Sequence, residues 1–125
     1  MMKRIATCAC EQLRVTCAGE PGKVALCHCL DCQKRTGSTY GVAAFFPRRA
    51  VEAAGPSHTY RRAGDSGFAV TFHFCPHCGS TVFWEPARRP EVIAVAVGSF
   101  ADPAFPAPSQ SVYNERRHLW VPASI

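Results

Sequence analysis

Cys27-His28-Cys29-Leu30-Asp31-Cys32-Gln33-Lys34-Arg35-Thr36-Gly37-Ser38 places three thiols within six residues. Thiolates are soft ligands, and three this close together can hold one soft divalent metal ion. No fourth cysteine lies near enough in sequence to close a tetrahedron around it. On the N-terminal side stand the pair Cys8-Ala9-Cys10 and the lone Cys17, and on the C-terminal side the knuckle Cys75-Pro76-His77-Cys78, followed by Gly79.

Two pairs make a four-thiolate set of the kind that holds tetrahedral zinc, even when far apart in sequence. In an extended segment Cys8 and Cys10 would project from one face, so both sulfurs could reach one ion at ~2.3 Å. The knuckle does the same from a tight turn, with Gly79 supplying the backbone freedom such turns need. The expected division is therefore Cys8, Cys10, Cys75 and Cys78 on a closed structural zinc, and Cys27, Cys29 and Cys32 on a second zinc with an open position. Another partition joins the triplet to one of the pairs and leaves thiols over. His28 is a candidate fourth ligand, although in an extended segment it points away from both flanking cysteines. His77 is expected to face solvent, and Cys17 to be a small buried hydrophobe on the apolar face of an alternating strand.

The chain has 125 residues, which suits one domain over 1–125 with a modest core. Eight cysteines in chelating spacings point to metal rather than disulfides, and to a cytoplasmic location. Met1-Met2-Lys3-Arg4-Ile5 lacks the apolar run of a secretion signal, and no segment reaches membrane-spanning length. The formal charge of +5 counts every thiol as neutral. Subtracting seven ligand thiolates and adding two divalent ions leaves about +2, because coordinated thiols are deprotonated. The basic signal then survives only in local pairs, with Lys34-Arg35 set apart by its place beside the triplet. Most aromatic residues lie in alternating strand patterns and are not interleaved with the basic pairs, which argues against a nucleic-acid partner. Nothing in the sequence sets the oligomeric state.

Strands are expected at Lys3 to Thr7, Leu13 to Cys17, Tyr40 to Phe46, Ser57 to Arg61, Phe68 to Phe74, Thr81 to Trp84 and Glu91 to Val97. Gly19 to Gly22 and Gly64-Asp65-Ser66-Gly67 read as turns. Leu30 to Thr36 reads as one or two helical turns closed by Gly37. Ala50 to Gly55 carries no assignable pattern, and Pro103, Pro106 and Pro108 mark an irregular crossing. The fold class is mainly β: antiparallel sheets pinned by zinc, with at most short helical turns.

Zinc with three thiolates carries net negative charge, so its ligand set acidifies water poorly. It suits a thiol taken into the open position as thiolate and aimed at an electrophile. Lys34 and Arg35 could bind carboxylates of such a thiol, and Thr36, Gly37 and Ser38 add hydroxyl and backbone donors. Thr36 and Ser38 could equally do no more than cap the local turn. An exposed set of three thiolates can also be emptied, oxidised or filled by another soft metal.

Cys8-x-Cys10, Cys27-His28-Cys29-x-x-Cys32 with Thr36-Gly37-Ser38, and Phe74-Cys75-x-x-Cys78-Gly79 resemble, in that order, the glutathione-dependent formaldehyde-activating enzymes, or S-(hydroxymethyl)glutathione synthases, grouped with centromere protein V. Gly98-Ser99-Phe100-Ala101-Asp102-Pro103 and His118-x-Trp120 are weaker parts of the same likeness. The resemblance implies a β-tent fold, the same two-zinc division, and condensation of glutathione with formaldehyde by a carbon-sulfur lyase. It departs from the family at Ala6 and Glu11, where glycine is common. Two other readings stay beside it: a thiol or aldehyde carrier without turnover, and a zinc-scaffolded interaction module.

Overall fold

The computed structural model describes residues 2–64 and 67–123. Two sheets carry the chain. The smaller has the order β1-β2-β5, from Lys3–Thr7, Arg14–Ala18 and Val51–Ala54. The larger contains β3 (Lys23–Cys27), β4 (Gly41–Pro47), β6 (His58–Ala63), β7 (Ala69–Phe74), β8 (Thr81–Pro86), β9 (Val92–Ala96) and β10 (Gln110–Val112), in the order β10-β3-β4-β9-β8-β7-β6. Every pairing is antiparallel except that of β10 with β3, which is parallel. One α-helix, α1 (Leu30–Thr36), and short 3-10 turns at Arg48–Ala50, Val97–Phe100 and Asn114–Arg116 complete the architecture.

Period-two alternation explains β2: Val15 and Cys17 are buried and Arg14 is exposed. Strand β9 lies between β4 and β8, and Val92, Ile93, Ala94 and Val95 are all buried, so its run of apolar residues has cover on both faces. Ala6, Val15 and Cys17 from the small sheet pack with Val24, Ala44, Phe46, Val82, Ile93 and Val95 from the large one, and Phe100 joins them. One apolar core therefore lies between the sheets, and its burial is the main stabilising term. Burial pushes the Cys17 thiol up to about 11, against a smaller pull from Arg4, so Cys17 is neutral packing as expected.

Helix α1 has the expected bounds. Cys29 caps its start, with its sulfur accepting from the Cys32 amide, and Gly37 closes it at φ 69°. The segment left without a pattern forms a 3-10 turn and β5, with Val51 to Ala54 pairing against Cys17 to Arg14. The expected turn at 64–67 includes Asp65 and Ser66, which lie outside the described residues. Leu119 and Trp120 are exposed at 97% and 72%, and they belong to a turn outside both sheets.

Candidate metal centre

The eight thiols sort four, three and one. The sulfurs of Cys8, Cys10, Cys75 and Cys78 lie within 4.8 Å of one another, as do those of Cys27, Cys29 and Cys32. The partition that joins the triplet to a pair is not formed. His28 stands outside both groups: it is buried, its ring meets Tyr40 edge-on at 5.8 Å, and its Nδ1 has no hydrogen-bond partner. Burial, followed by the nearby charges of Arg117 and His118, pushes its pKa down. His77 is exposed.

The four-sulfur group is built from two turns. Strand β1 ends at Thr7, so Cys8 to Cys10 is not extended as the spacing suggested. The Glu11 amide donates to the Cys8 carbonyl at 3.0 Å, and Glu11 takes φ 68° to close the turn. That left-handed backbone favours glycine, so Glu11 holds it at some conformational cost. On the other side, β7 and β8 shift register between His73 and Phe74, and the chain enters the knuckle. The Gly79 amide then donates to the Cys75 carbonyl at 2.8 Å, with Gly79 at φ 80°.

Sulfur separations of 3.6 Å for Cys8 to Cys10 and for Cys10 to Cys75 are close to the edge of a tetrahedron with bonds of ~2.3 Å, about 3.8 Å. Backbone amides of Leu13 and His77 donate to the Cys8 and Cys75 sulfurs at 3.2 and 3.4 Å. Hydrogen bonds from the side chain and backbone of Ser80 pull Cys78 down to about 5. Such donors favour thiolate, so the group fits a closed metal site.

The triplet spans the end of β3, the start of α1 and its first turn. Hydrogen bonding from Cys27 draws Cys32 down to about 6. Burial opposes this, while Cys29 and the Arg35 guanidinium assist it. Cys27 is pushed up as the partner that keeps its proton, and burial adds to the effect. Three sulfurs with no fourth cysteine in the group could hold an ion and leave a position over.

Two cavities adjoin α1. One, of about 560 Å³, is lined by Arg35, Thr36, Tyr40, Gly41, Thr81 and Ser99 among others. The second, of about 520 Å³, includes Asp31, Lys34, Arg35, Tyr60, Arg62 and Phe72. Arg35 borders both. Its guanidinium lies 4.3 Å over Trp84, and a Cβ on Gly41 would stand 2.8 Å from its Nη2. Arg62 reaches from β6 to pair with Asp31 of α1 at 3.2 Å, and its guanidinium lies 5.0 Å over Phe72.

Of the residues expected to bind substrate, Lys34, Arg35 and Thr36 line these cavities, whereas Gly37 and Ser38 line neither. The Thr36 hydroxyl donates to the Cys32 carbonyl at 2.8 Å and accepts from the Ser38 amide at 3.0 Å, so it closes the helix end. Tyr60, Arg62, Phe72 and Trp84 escaped the sequence reading because strand pairing, and not spacing, brings them here, whereas Asp31 lies on α1 itself and Tyr40 just before β4.

A profile described as glutathione-dependent formaldehyde-activating enzyme matches residues 3–116. The chain belongs to the glutathione-dependent formaldehyde-activating enzyme family. Its two cysteine groups are the metal-capable sites of this family member, and at family level it has a glutathione- and formaldehyde-related role. Among solved structures, a Rhodobacter sphaeroides protein matches with TM-score 0.59 at 19% identity, covering 78% of this chain and 86% of that one; the likeness is one of fold. No curated protein sequence matches. Among the described residues no helix is long and apolar enough to cross a membrane.

Proposed function

We propose that this protein is a zinc-dependent carbon-sulfur lyase that joins glutathione, or a related thiol, to formaldehyde or another small aldehyde in the cytoplasm. The observation that carries the reading is the convergence of Cys27, Cys29 and Cys32 into a three-sulfur group beside Arg35 and two cavities. Zinc at such a group supplies an open position that holds a thiol as thiolate. Cys8, Cys10, Cys75 and Cys78 would hold the second ion and keep the two turns together.

The chain's own residues then bind and orient. Lys34 and Arg35 present cations to the bound substrates, Lys34 to the carboxylates of the thiol, and Tyr60, Phe72 and Phe74 give its apolar atoms a wall. Thr36, Gly37 and Ser38 hold the end of α1 in place, which keeps Arg35 and Cys32 in register on the helix. In the reaction the thiol gives up its proton, sulfur bonds to the carbonyl carbon, and the carbonyl oxygen gains a proton.

Exchange NMR of glutathione with formaldehyde tests this, since the same addition also runs unaided. Adduct formation must be faster with protein than without it. Tight glutathione binding without acceleration would favour the carrier reading instead. The interaction-module reading has less support: Arg48, Arg62 and Arg89 each face a carboxylate, in Glu85, Asp31 and Glu91. That pairing offsets three of the cations a nucleic-acid surface would use.

A further inference from the structure

We infer that Arg35 receives the charge that develops on the aldehyde oxygen during addition, a catalytic role separate from holding the carboxylates of the thiol. The inference rests on the thiol-addition reading above, and it concerns what the guanidinium does there.

Arg35 and Lys34 are neighbours in sequence but not in situation. Lys34 is exposed and borders one cavity. Arg35 is half-buried and borders both, and it has no carboxylate partner among the described residues. Its flat face is taken by Trp84 at 4.3 Å, with Phe72 further off at 5.8 Å. Its Nε is buried and donates to nothing. A cation fixed by its face, with its Nε unpaired and its charge already interacting with the Cys32 sulfur, is preorganised to meet an anion that forms beside that sulfur.

Gly41 shows where the edge lies. A Cβ at this position would come within 2.8 Å of Arg35 Nη2 and 3.5 Å of Cys32 Cβ. The missing side chain therefore makes room for the guanidinium right beside the third cysteine. A thiol held at the triplet would therefore have Cys32 as a neighbour in common with this guanidinium.

The balance of the step calls for a donor there. Sulfur attacks the carbonyl carbon, the carbon-sulfur bond forms, and the π pair of the carbonyl moves to oxygen. Water then protonates that oxygen, while the proton lost by the thiol passes to solvent. Negative charge thus moves from sulfur to an atom one carbon away, still beside Arg35. The carboxylates of glutathione lie several bonds from its sulfur, and Lys34 in the wall of the second cavity is a separate cation for them.

The test uses Arg35→Met and Arg35→Lys, with formaldehyde and two thiols: glutathione, and 2-mercaptoethanol, which has no carboxylate. Exchange NMR reads the rate. Quenching of Trp84 fluorescence in a Trp120→Phe background reads thiol affinity, and zinc per chain reads integrity. The expected result is retained zinc and affinity for either thiol changed by no more than about threefold. The rate with both thiols should fall by about 100-fold in Arg35→Met and by less in Arg35→Lys, which keeps the charge but not the fork.

A loss confined to glutathione would overturn the inference and make Arg35 a carboxylate anchor. Affinity falling in step with rate would also overturn it, as would an unchanged rate. Loss of zinc from both variants would make Arg35 a structural support and reject the inference too. If the unmodified protein accelerates neither thiol, the thiol-addition reading itself fails and this inference falls with it.

Discussion

Oε1 of Gln33, on the helix that carries Cys32, accepts a hydrogen bond from Nε2 of His118 at 2.8 Å, across 85 residues of sequence. The same amide donates from Nε2 to the carbonyls of His28 at 2.8 Å and Arg116 at 3.2 Å. One side chain therefore ties the three-cysteine loop, its helix and the C-terminal segment together. Replacing Gln33 by Ala should cost about 1–2 kcal/mol, the usual scale for unpairing partly buried groups. Hydrogen exchange at the Arg117 and Val121 amides should quicken, while the four-cysteine group keeps its metal. Unchanged exchange at both amides would show that the tie is dispensable.

Glu85 sits between Arg48 Nη1 and His73 Nε2, each at 2.7 Å. Burial raises its carboxyl pKa, but the bonds to Arg48 and His73 outweigh this and hold it below the ordinary value. A depressed folded pKa contributes stability above the unfolded value of about 4.3 and loses it as pH falls through the folded one. Glu85→Gln should therefore lower stability at pH 7 by about 1 kcal/mol, discounted for solvent screening. The gap in melting temperature between the two proteins should narrow below about pH 4. A gap constant from neutral to strongly acid solution would contradict the pairing.

Gly55 adopts φ 97°, and a Cβ there would stand 1.9 Å from the backbone oxygen of Gln12. Backbone cannot give way as a flexible side chain can, so Gly55→Ala must displace the turn after β5 or the approach to Leu13. The expected loss is about 2–4 kcal/mol, combining left-handed strain with the clash. Thermal unfolding measures it, and a shift smaller than that of an exposed alanine substitution would refute the geometry.

Local patterns made much of the architecture legible. Lys3 to Thr7, with its alternation, and Leu30 to Thr36, with Gly37 behind it, needed no knowledge of distant residues. Cys17 could be set aside because it shares a strand face with Val15. Val51 to Ala54 lacks contrast between large and small or polar and apolar, and it becomes a strand because β2 offers a free edge. The parallel pairing of Gln110 to Val112 with Ala25 to Cys27 depends equally on a long crossing that no window of sequence contains.

The candidate site divides the same way. Cysteine spacing was enough for the four and the three, although Cys8 and Cys10 converge through a turn and not along a strand. The wall of the second cavity was hidden, since Tyr60, Arg62 and Phe72 reach it only through the register of β6 with β7. That Arg35 lies on Trp84 follows from β8 packing near α1, which the pair Lys34-Arg35 does not reveal.

A four-sulfur site with every position filled and a three-sulfur site with one left over respond differently to loss of a ligand, and zinc per chain in the natively isolated protein and in its Cys32→Ser variant tells them apart. Two ions per chain should fall to about one, with far-UV circular dichroism unchanged. An equal count in both proteins, or unfolding of the variant, would contradict this division of the cysteines.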